Sequence, residues 1–348
     1  MMNEKTKPRI KKFTFFIGID ISKNKLDYAV LKGKNILFHK EALNNTDSIT
    51  TFINGLKNLP DFSIAKVVFC MEHTGFYCNH LLYFLKQIKA HIVVENALQI
   101  KNSMGLLRGK YDKIDAIRIA QYAEKNRENL RFWQPRSPLI VDIASLFTLR
   151  NRMLSLDVML KTPIKEQSSF IKNGIHKQSI KLCKKSMKAV KADIKNIDTA
   201  IDSIIASNER LARLSELIKS VPGVGRITAI QILISTNEFR DIRCPRKFAC
   251  YAGVAPFRKE SGGIKGRARV SPIANKKVKS LLHICAINAI RCDQELKQYY
   301  LRKTQTEGKP KMAVLNAVRN KLILRIFACL SQDRSFKKKF PESVLSIL

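Results

Sequence analysis

Carboxylates are scarce in this chain, 28 Asp plus Glu against 64 Lys plus Arg, so an acid at the end of an apolar run stands out. Asp20 closes FFIGID and Glu72 closes VVFCME. In a mixed sheet, the ends of neighbouring strands bring two such groups within reach of one ion. Asp112 and Asp115, in YDKIDAIRIAQYA, are three apart and share a helix face. Four converging carboxylates repel one another unless cations compensate. Hard oxygen ligands with open positions favour Mg²⁺, and a pair of such ions stabilises the attacking and leaving oxygens of a phosphoryl transfer. Lys23, Arg108, Lys110 and Lys113 flank the acids where a phosphate backbone would approach. Taken singly, each acid also has a plain reading: Asp112 as a helix N-cap, Asp115 as a dipole partner, Asp20 as a turn residue, Glu72 as a solvated strand end.

Two further segments carry chemistry. SVPGVGRITAIQIL, from Ser220 to Leu233, places a tight turn between apolar helices. It resembles a helix-hairpin-helix, in which Gly223 and Gly225 let backbone N–H groups approach a phosphate and Arg226 adds charge. A simple helix-to-helix connection is the other reading. YAGVAPFRKESGGIKGRARVS, from Tyr251 to Ser271, sets Ser261 before two glycines among Arg258, Lys259, Lys265, Arg267 and Arg269, with Lys276 and Lys277 following. A serine there is either a nucleophile, its developing phosphate charge met by the cations, or part of a flexible phosphate grip. The loop holds no histidine to act as base. The eight cysteines include no C-x-x-C pair, and the spacing of Cys70, His73, Cys78 and His80 matches no zinc site.

These residues need a scaffold. FTFFIGID reads as a buried strand, LDYAVLK and NILFHKEAL as its hairpin neighbours, and KVVFCME as a strand after an amphipathic segment from Ser48 to Leu59. A helix from Phe76 to Lys89 leads into HIVVENA. The order predicts a mixed α/β sheet flanked by helices, as in ribonuclease-H-like domains. RFWQPRSP punctuates the chain, with a boundary near residue 137. Beyond it Ile180, Cys183, Met187, Val190, Ile194, Ile197, Ile201 and Ile204 recur at alternating steps of three and four, a coiled-coil seam. A shorter seam of Leu146, Leu149, Met153, Leu156 and Leu160 precedes it, with breaks expected at Pro163 and Asn173-Gly174. An antiparallel helical hairpin follows, expected to self-associate. The divisions are 13–137 for the α/β domain, 138–215 for the helical arm, 216–333 for a mostly helical C-terminal domain and 334–348 for a tail.

The formal charge is +36, and compact folds resist such self-repulsion, so a polyanionic partner is expected, nucleic acid first. An anionic membrane surface is the weaker alternative. No long apolar run and no signal-peptide core is present, which predicts a soluble, cytosolic protein.

FIGIDISK, CMEHTG and DKIDA, then a long helical arm, then VPGVG and YAGVAPFRKESGG, resemble in order and spacing the insertion-sequence-110 family of transposases, relatives of the Piv DNA invertases, from about Phe15 to Phe327. The resemblance implies a RuvC-like N-terminal domain whose DEDD tetrad, here Asp20, Glu72, Asp112 and Asp115, binds Mg²⁺. It implies a C-terminal transposase domain with Ser261 as nucleophile, joined to DNA through a phosphoserine link. It further implies donor and target double-stranded DNA as substrates, a noncoding bridge RNA as guide, and homodimers assembling to a homotetramer whose active sites combine one protomer's acids with another's serine. A bacterial or archaeal, nucleoid-associated location goes with it. Two rivals stay open: a hydrolytic junction resolvase using the same acids with water, and a non-catalytic architectural or RNA-binding protein.

Overall fold

The computed structural model describes residues 13–103, 112–170, 174–258, 260–261, 264–266 and 268–337. The chain divides into two compact units between Pro135 and Arg136.

The first unit is built on five strands: β1 (Phe15–Ile21), β2 (Lys25–Lys32), β3 (Asn35–Leu43), β4 (Val67–Glu72) and β5 (His91–Glu95). Their spatial order is β3-β2-β1-β4-β5, with β1 antiparallel to β2, β2 antiparallel to β3, and β4 parallel to both β1 and β5. Helices α1 (Thr46–Leu56) and α2 (Asn79–Gln87) make the crossovers, and α3 (Ala97–Ser103) and α4 (Asp112–Lys125) follow. Both faces of β1 and β4 are covered, which is why these strands read as continuous apolar runs. On one face Phe15, Ile17, Ile19, Phe69 and Met71 pack with Ile49, Phe52 and Ile53 of α1 and Leu81 and Leu85 of α2. Asn45 caps α1, its side chain accepting the Ser48 amide at 2.9 Å.

The other face carries Phe16, Val68, Cys70 and Val93 against Ala116, Ile119, Ala120 and Ala123 of α4. The small residues let this helix approach the backbone of β1. A Cβ placed on Gly18 would lie 2.1 Å from the Ala116 carbonyl oxygen and 2.2 Å from the Ala120 nitrogen. Gly18 therefore fixes where α4 sits on the sheet.

The second unit opens with a helical hairpin, α5 (Pro138–Phe170) and α6 (Gly174–Ala206). Then come α7 (Glu209–Lys219), α8 (Arg226–Thr236), α9 (Pro245–Tyr251), four two-residue strands β6 (Pro256–Phe257), β7 (Glu260–Ser261), β8 (Ile264–Lys265) and β9 (Arg269–Val270), and α10 (Lys276–Cys292), α11 (Gln294–Leu301) and α12 (Lys311–Ser331). Ile140, Ile143 and Phe147 of α5 and Ile197, Ile201 and Ile205 of α6 share one core with α7, α8, α9, α10 and α12. The base of the arm is thus part of the C-terminal core. No helix among the described residues is long and apolar enough to cross a membrane.

Two sequence expectations change. Helix α5 runs through Pro163 without a break. An interior proline costs about 3 kcal/mol, and packing of α5 along α6 outweighs it. The α5 seam is kept in part: Leu146 and Met153 pack against the core beside the buried Ile140, Ile143 and Phe147, while Leu149 and Leu156 are 37% and 44% exposed. The α6 seam keeps its expected side, with Ile197 and Ile201 buried and Ile194 and Val190 half-buried.

Replacing Gly18 by Ala forces α4 off the sheet. We expect a loss of about 2–3 kcal/mol in urea unfolding, whereas Gly55→Ala in α1, where nothing lies within 4 Å, is neutral or stabilising. Equal unfolding midpoints for the two variants would contradict the close contact.

Candidate active site

Side chains alternate along a strand, so the α4-covered face of β1 carries Phe16, Gly18 and then Asp20. By register the same face holds Asp27 of β2, opposite Asp20, and Glu41 of β3, opposite Asp27. Ile19 pairs with Met71 and Glu72 pairs with Glu95, so Asp20, Glu72 and Glu95 end three adjacent parallel strands. With Ala116 seated over Gly18, the first turn of α4 brings Asp112 and Asp115 to this same edge. Burial, followed by the charges of Asp112, Asp115 and Asp27, holds the Asp20 carboxyl above its ordinary value.

The counter-charges are local. The Lys25 ammonium lies 2.9 Å from Asp112, 3.1 Å from Glu41 and 3.3 Å from Asp27. Hydrogen bonds to Asp112 first, then Glu41, hold its proton more tightly than usual. Asp27 also meets His39 Nε2 at 2.9 Å, and Asp115 pairs with Arg118 at 2.9 Å. Tyr122 donates its hydroxyl to Glu95 at 3.0 Å and accepts from Gln99 at 3.3 Å. Burial and the Glu95 charge push that hydroxyl up to about 12.

The donor set is carboxylate oxygen throughout, the chemistry a hard divalent cation selects, and a protein ammonium already stands among Asp112, Glu41 and Asp27. The set is not drawn tight: among the described residues no three His, Cys, Asp or Glu side chains stand close enough to hold one ion. Asp112 leans to Lys25 and Asp115 to Arg118. Sequence reasoning named Asp20, Glu72, Asp112 and Asp115 but missed Asp27, Glu41, Glu95 and Lys25. Glu95 carries the same signal as Glu72, an acid closing an apolar strand. Cys70 and Cys78 belong to the cores on opposite faces of the sheet, which separates the Cys/His cluster.

In the second unit the VPGVG turn divides its glycines between two jobs. Gly223 has φ +84°, and a Cβ there would stand 2.6 Å from the Ala289 nitrogen, so it serves close packing against α10. Gly225 has open space around it and begins α8 with no side-chain cap, leaving its turn accessible. Arg226, expected to meet phosphate, is instead committed to the arm: it donates to Asp202 at 2.6 Å and to the Asp198 carboxylate and carbonyl at 2.7 Å each. Arg150 of α5 donates to the same Asp198 at 2.7 Å. Burial pulls the Asp198 carboxyl upward, but these hydrogen bonds from Arg150 and Arg226 outweigh it and leave it below its ordinary value.

The serine segment forms two short antiparallel ladders. Pro256 pairs with Val270 and Phe257 with Arg269; Glu260 pairs with Lys265 and Ser261 with Ile264. The Ser261 backbone therefore ends a strand just before residues 262 and 263. Lys259 and Arg267 lie outside the described residues, as do the side chains of Ser261 and Lys265, and of the earlier flanking cations, Arg108 and Lys110. Arg258 and Arg269 are exposed. Asn275 caps α10, accepting from the Val278 amide at 3.1 Å and donating to the Tyr251 hydroxyl at 2.7 Å. Lys276 and Lys277 then stand exposed in the first turn of α10, at the positive end of its dipole. Cations there disfavour the helix and suit an incoming anion.

Two family models match this chain in order: one described as a transposase over residues 17–166, and one described as the IS116/IS110/IS902 transposase family over residues 215–301. Over these two segments the chain is similar to transposases of the IS116/IS110/IS902 kind. Its relatives include the pilin gene-inverting protein of Moraxella bovis, 24% identical over 345 residues, covering 94% of this chain and 99% of that protein. The transposase for insertion sequence element IS1111A of Coxiella burnetii is 23% identical over 194 residues, covering 50% of this chain and 53% of that one. The insertion element IS110 protein of Streptomyces coelicolor is 24% identical over 159 residues, 46% of this chain and 38% of its own. The first transposase match spans the acidic edge and the second contains the serine segment and the VPGVG turn.

In chelator, Asp20→Asn relieves the repulsion among Asp20, Asp112, Asp115 and Asp27. Because the Asp20 carboxyl is raised in the folded state, its ionisation costs stability above its ordinary value of 3.8, and the cost vanishes as pH falls below that value. The variant should show a higher urea midpoint than the wild type at neutral pH and an equal one in acid. A lower midpoint at neutral pH would show that Asp20 is stabilised by its neighbours.

Proposed function

We propose that this chain is a DNA recombinase of an insertion sequence, cutting and rejoining strands through a phosphoserine link formed by Ser261. The observation that carries the reading is the convergence of Asp20, Asp112 and Asp115 at one sheet edge in a protein of charge +36, with the Asp20 carboxyl raised by burial and then by the charges of the other two. Acids kept together against their own repulsion serve a cationic purpose. The inversion activity named for the Moraxella relative, matched over nearly its whole length, supports strand exchange over simple cleavage.

Asp20, Glu72, Asp112 and Asp115 are the residues that would hold Mg²⁺, which when bound neutralises phosphate charge and polarises the attacked phosphorus. The Ser261 hydroxyl gives up its proton, its oxygen bonds to the phosphorus, and the bond to one bridging oxygen breaks, that oxygen leaving with a proton. The phosphodiester energy is retained in the serine ester, so the hydroxyl of another strand reverses the step and rejoins. Arg258, Lys259, Lys265, Arg267 and Arg269 would supply the positive charge that meets developing phosphate charge, and Gly225, Lys276 and Lys277 would supply backbone and side-chain contacts. The N-terminal sheet would be a RuvC-like fold and the α5–α6 hairpin a coiled-coil arm. The same reading includes a bridge RNA guide: base pairing would read sequence while a basic protein surface holds backbone and shape.

Incubation with Mg²⁺, guide RNA and a suicide DNA substrate should leave labelled DNA covalently attached to the wild-type chain and none attached to Ser261→Ala. Cleavage without any adduct would assign the attack to water. Recombination unchanged by Asp20→Ala would remove the acidic edge from catalysis.

Self-association of the arm is part of the proposal. Ile201 is fully buried in the intramolecular core, so the outer side of α5 is the surface for another protomer, with Leu149 and Leu156 beside Met159, which is 69% exposed. Leu149→Glu with Leu156→Glu should lower the sedimenting mass while leaving helicity intact. An unchanged mass would move the interface elsewhere.

A further inference from the structure

Helix α6 carries a second periodic feature besides its apolar seam. Lys177, Lys181, Lys184, Lys188, Lys191 and Lys195 recur at steps of 4, 3, 4, 3 and 4, and all six are exposed. At 100° and 1.5 Å per residue they lie within an arc of about 80° along about 27 Å of helix. Each of the last five follows a seam residue by one position, so the stripe runs beside the α5-facing side and stays clear of it. The one acid in this stretch, Asp193, falls on the opposite side. Among the described residues none of the six lysines enters an ion pair.

Such a stripe works against the helix that bears it. Like charges three or four residues apart on a helix destabilise it, and the row holds five such successive steps. Solubility alone is met by mixed Glu and Lys, as elsewhere on helices. The side of the stripe away from the seam bears Gln178, Lys185, Ala192 and Asn196, and the exposed Leu182 beside it is a single apolar residue where a bilayer-seated helix needs an apolar face. A regular row of flexible point charges instead matches a linear polyanion, contacted without regard to sequence.

We infer that the α6 lysine row is a track for the phosphate backbone of duplex DNA, making the arm a DNA-holding element as well as a joint. The inference rests on the recombinase reading only in taking DNA as the partner. Its test is binding of the full chain to a DNA duplex, followed by fluorescence anisotropy across a salt series. Each neutralised phosphate contributes about 0.9 to the slope of log affinity against log salt. The triple variant K181Q/K188Q/K195Q should therefore bind more weakly and show a slope shallower by about 2–3, while K181R/K188R/K195R keeps the wild-type slope. Circular dichroism of the Gln variant should match wild type, since the changes remove only repulsion. A Gln variant with the wild-type slope overturns the track, as does a loss confined to an RNA duplex of equal length. A flat profile for the wild type would instead overturn DNA binding itself, so the two failures are distinct.

Discussion

The contact between Gly18 and α4 is the constraint on which the acidic edge depends. Asp112 and Asp115 are distant from Asp20 in sequence, and their approach is set by where Ala116 and Ala120 meet the β1 backbone. A side chain at position 18 would lift the helix and carry both carboxylates away. The carboxylates gain nothing from one another, so packing of the alanine face must hold them together. Hydrophobic burial on one stretch of α4 thereby offsets electrostatic repulsion at its first turn, a division of labour common where function requires like charges to share a place.

Charge is distributed with economy across both units. At the acidic edge, Lys25 and Arg118 partly balance Asp112 and Asp115. In the second unit several acids are spent on structure: Asp198 and Asp202 hold Arg226, and Asp293 with Glu295 holds Arg325. What remains exposed is overwhelmingly cationic, including Lys276 and Lys277 at a helix end that would favour acids on helical grounds alone. Cations left uncompensated at the surface are what a polyanion-binding protein requires.

Much of this was legible in the sequence because the signals are local. Strands buried on both faces announce themselves as apolar runs, and acids closing them mark the sheet edge. Glu95 satisfies that rule as well as Glu72 does, whereas Asp27 sits inside an apolar strand and is explained only by its cross-strand partners. The expected α5 seam is kept only in part because Ile140, Ile143 and Phe147 form a second apolar series that overlaps it at Leu146, and periodicity cannot choose between two overlapping stripes. Arg226 looked like a phosphate contact because it follows a glycine turn; its partners lie 24 and 28 residues earlier, where no local pattern reaches. Pro163 is a breaker by propensity, overruled by long pairing with α6.

The sharing of Asp198 has a mechanical consequence. One carboxylate clamps Arg150 from α5 and Arg226 from the entrance to α8, and Asp202 adds a second tie, so the hairpin is fastened to the glycine turn by ion pairs as well as by the shared core. Sliding of one arm helix along the other must either break those ties or drag the turn with it. Displacement of the hairpin base is thus coupled to the mouth of α8 by contacts that join the two directly.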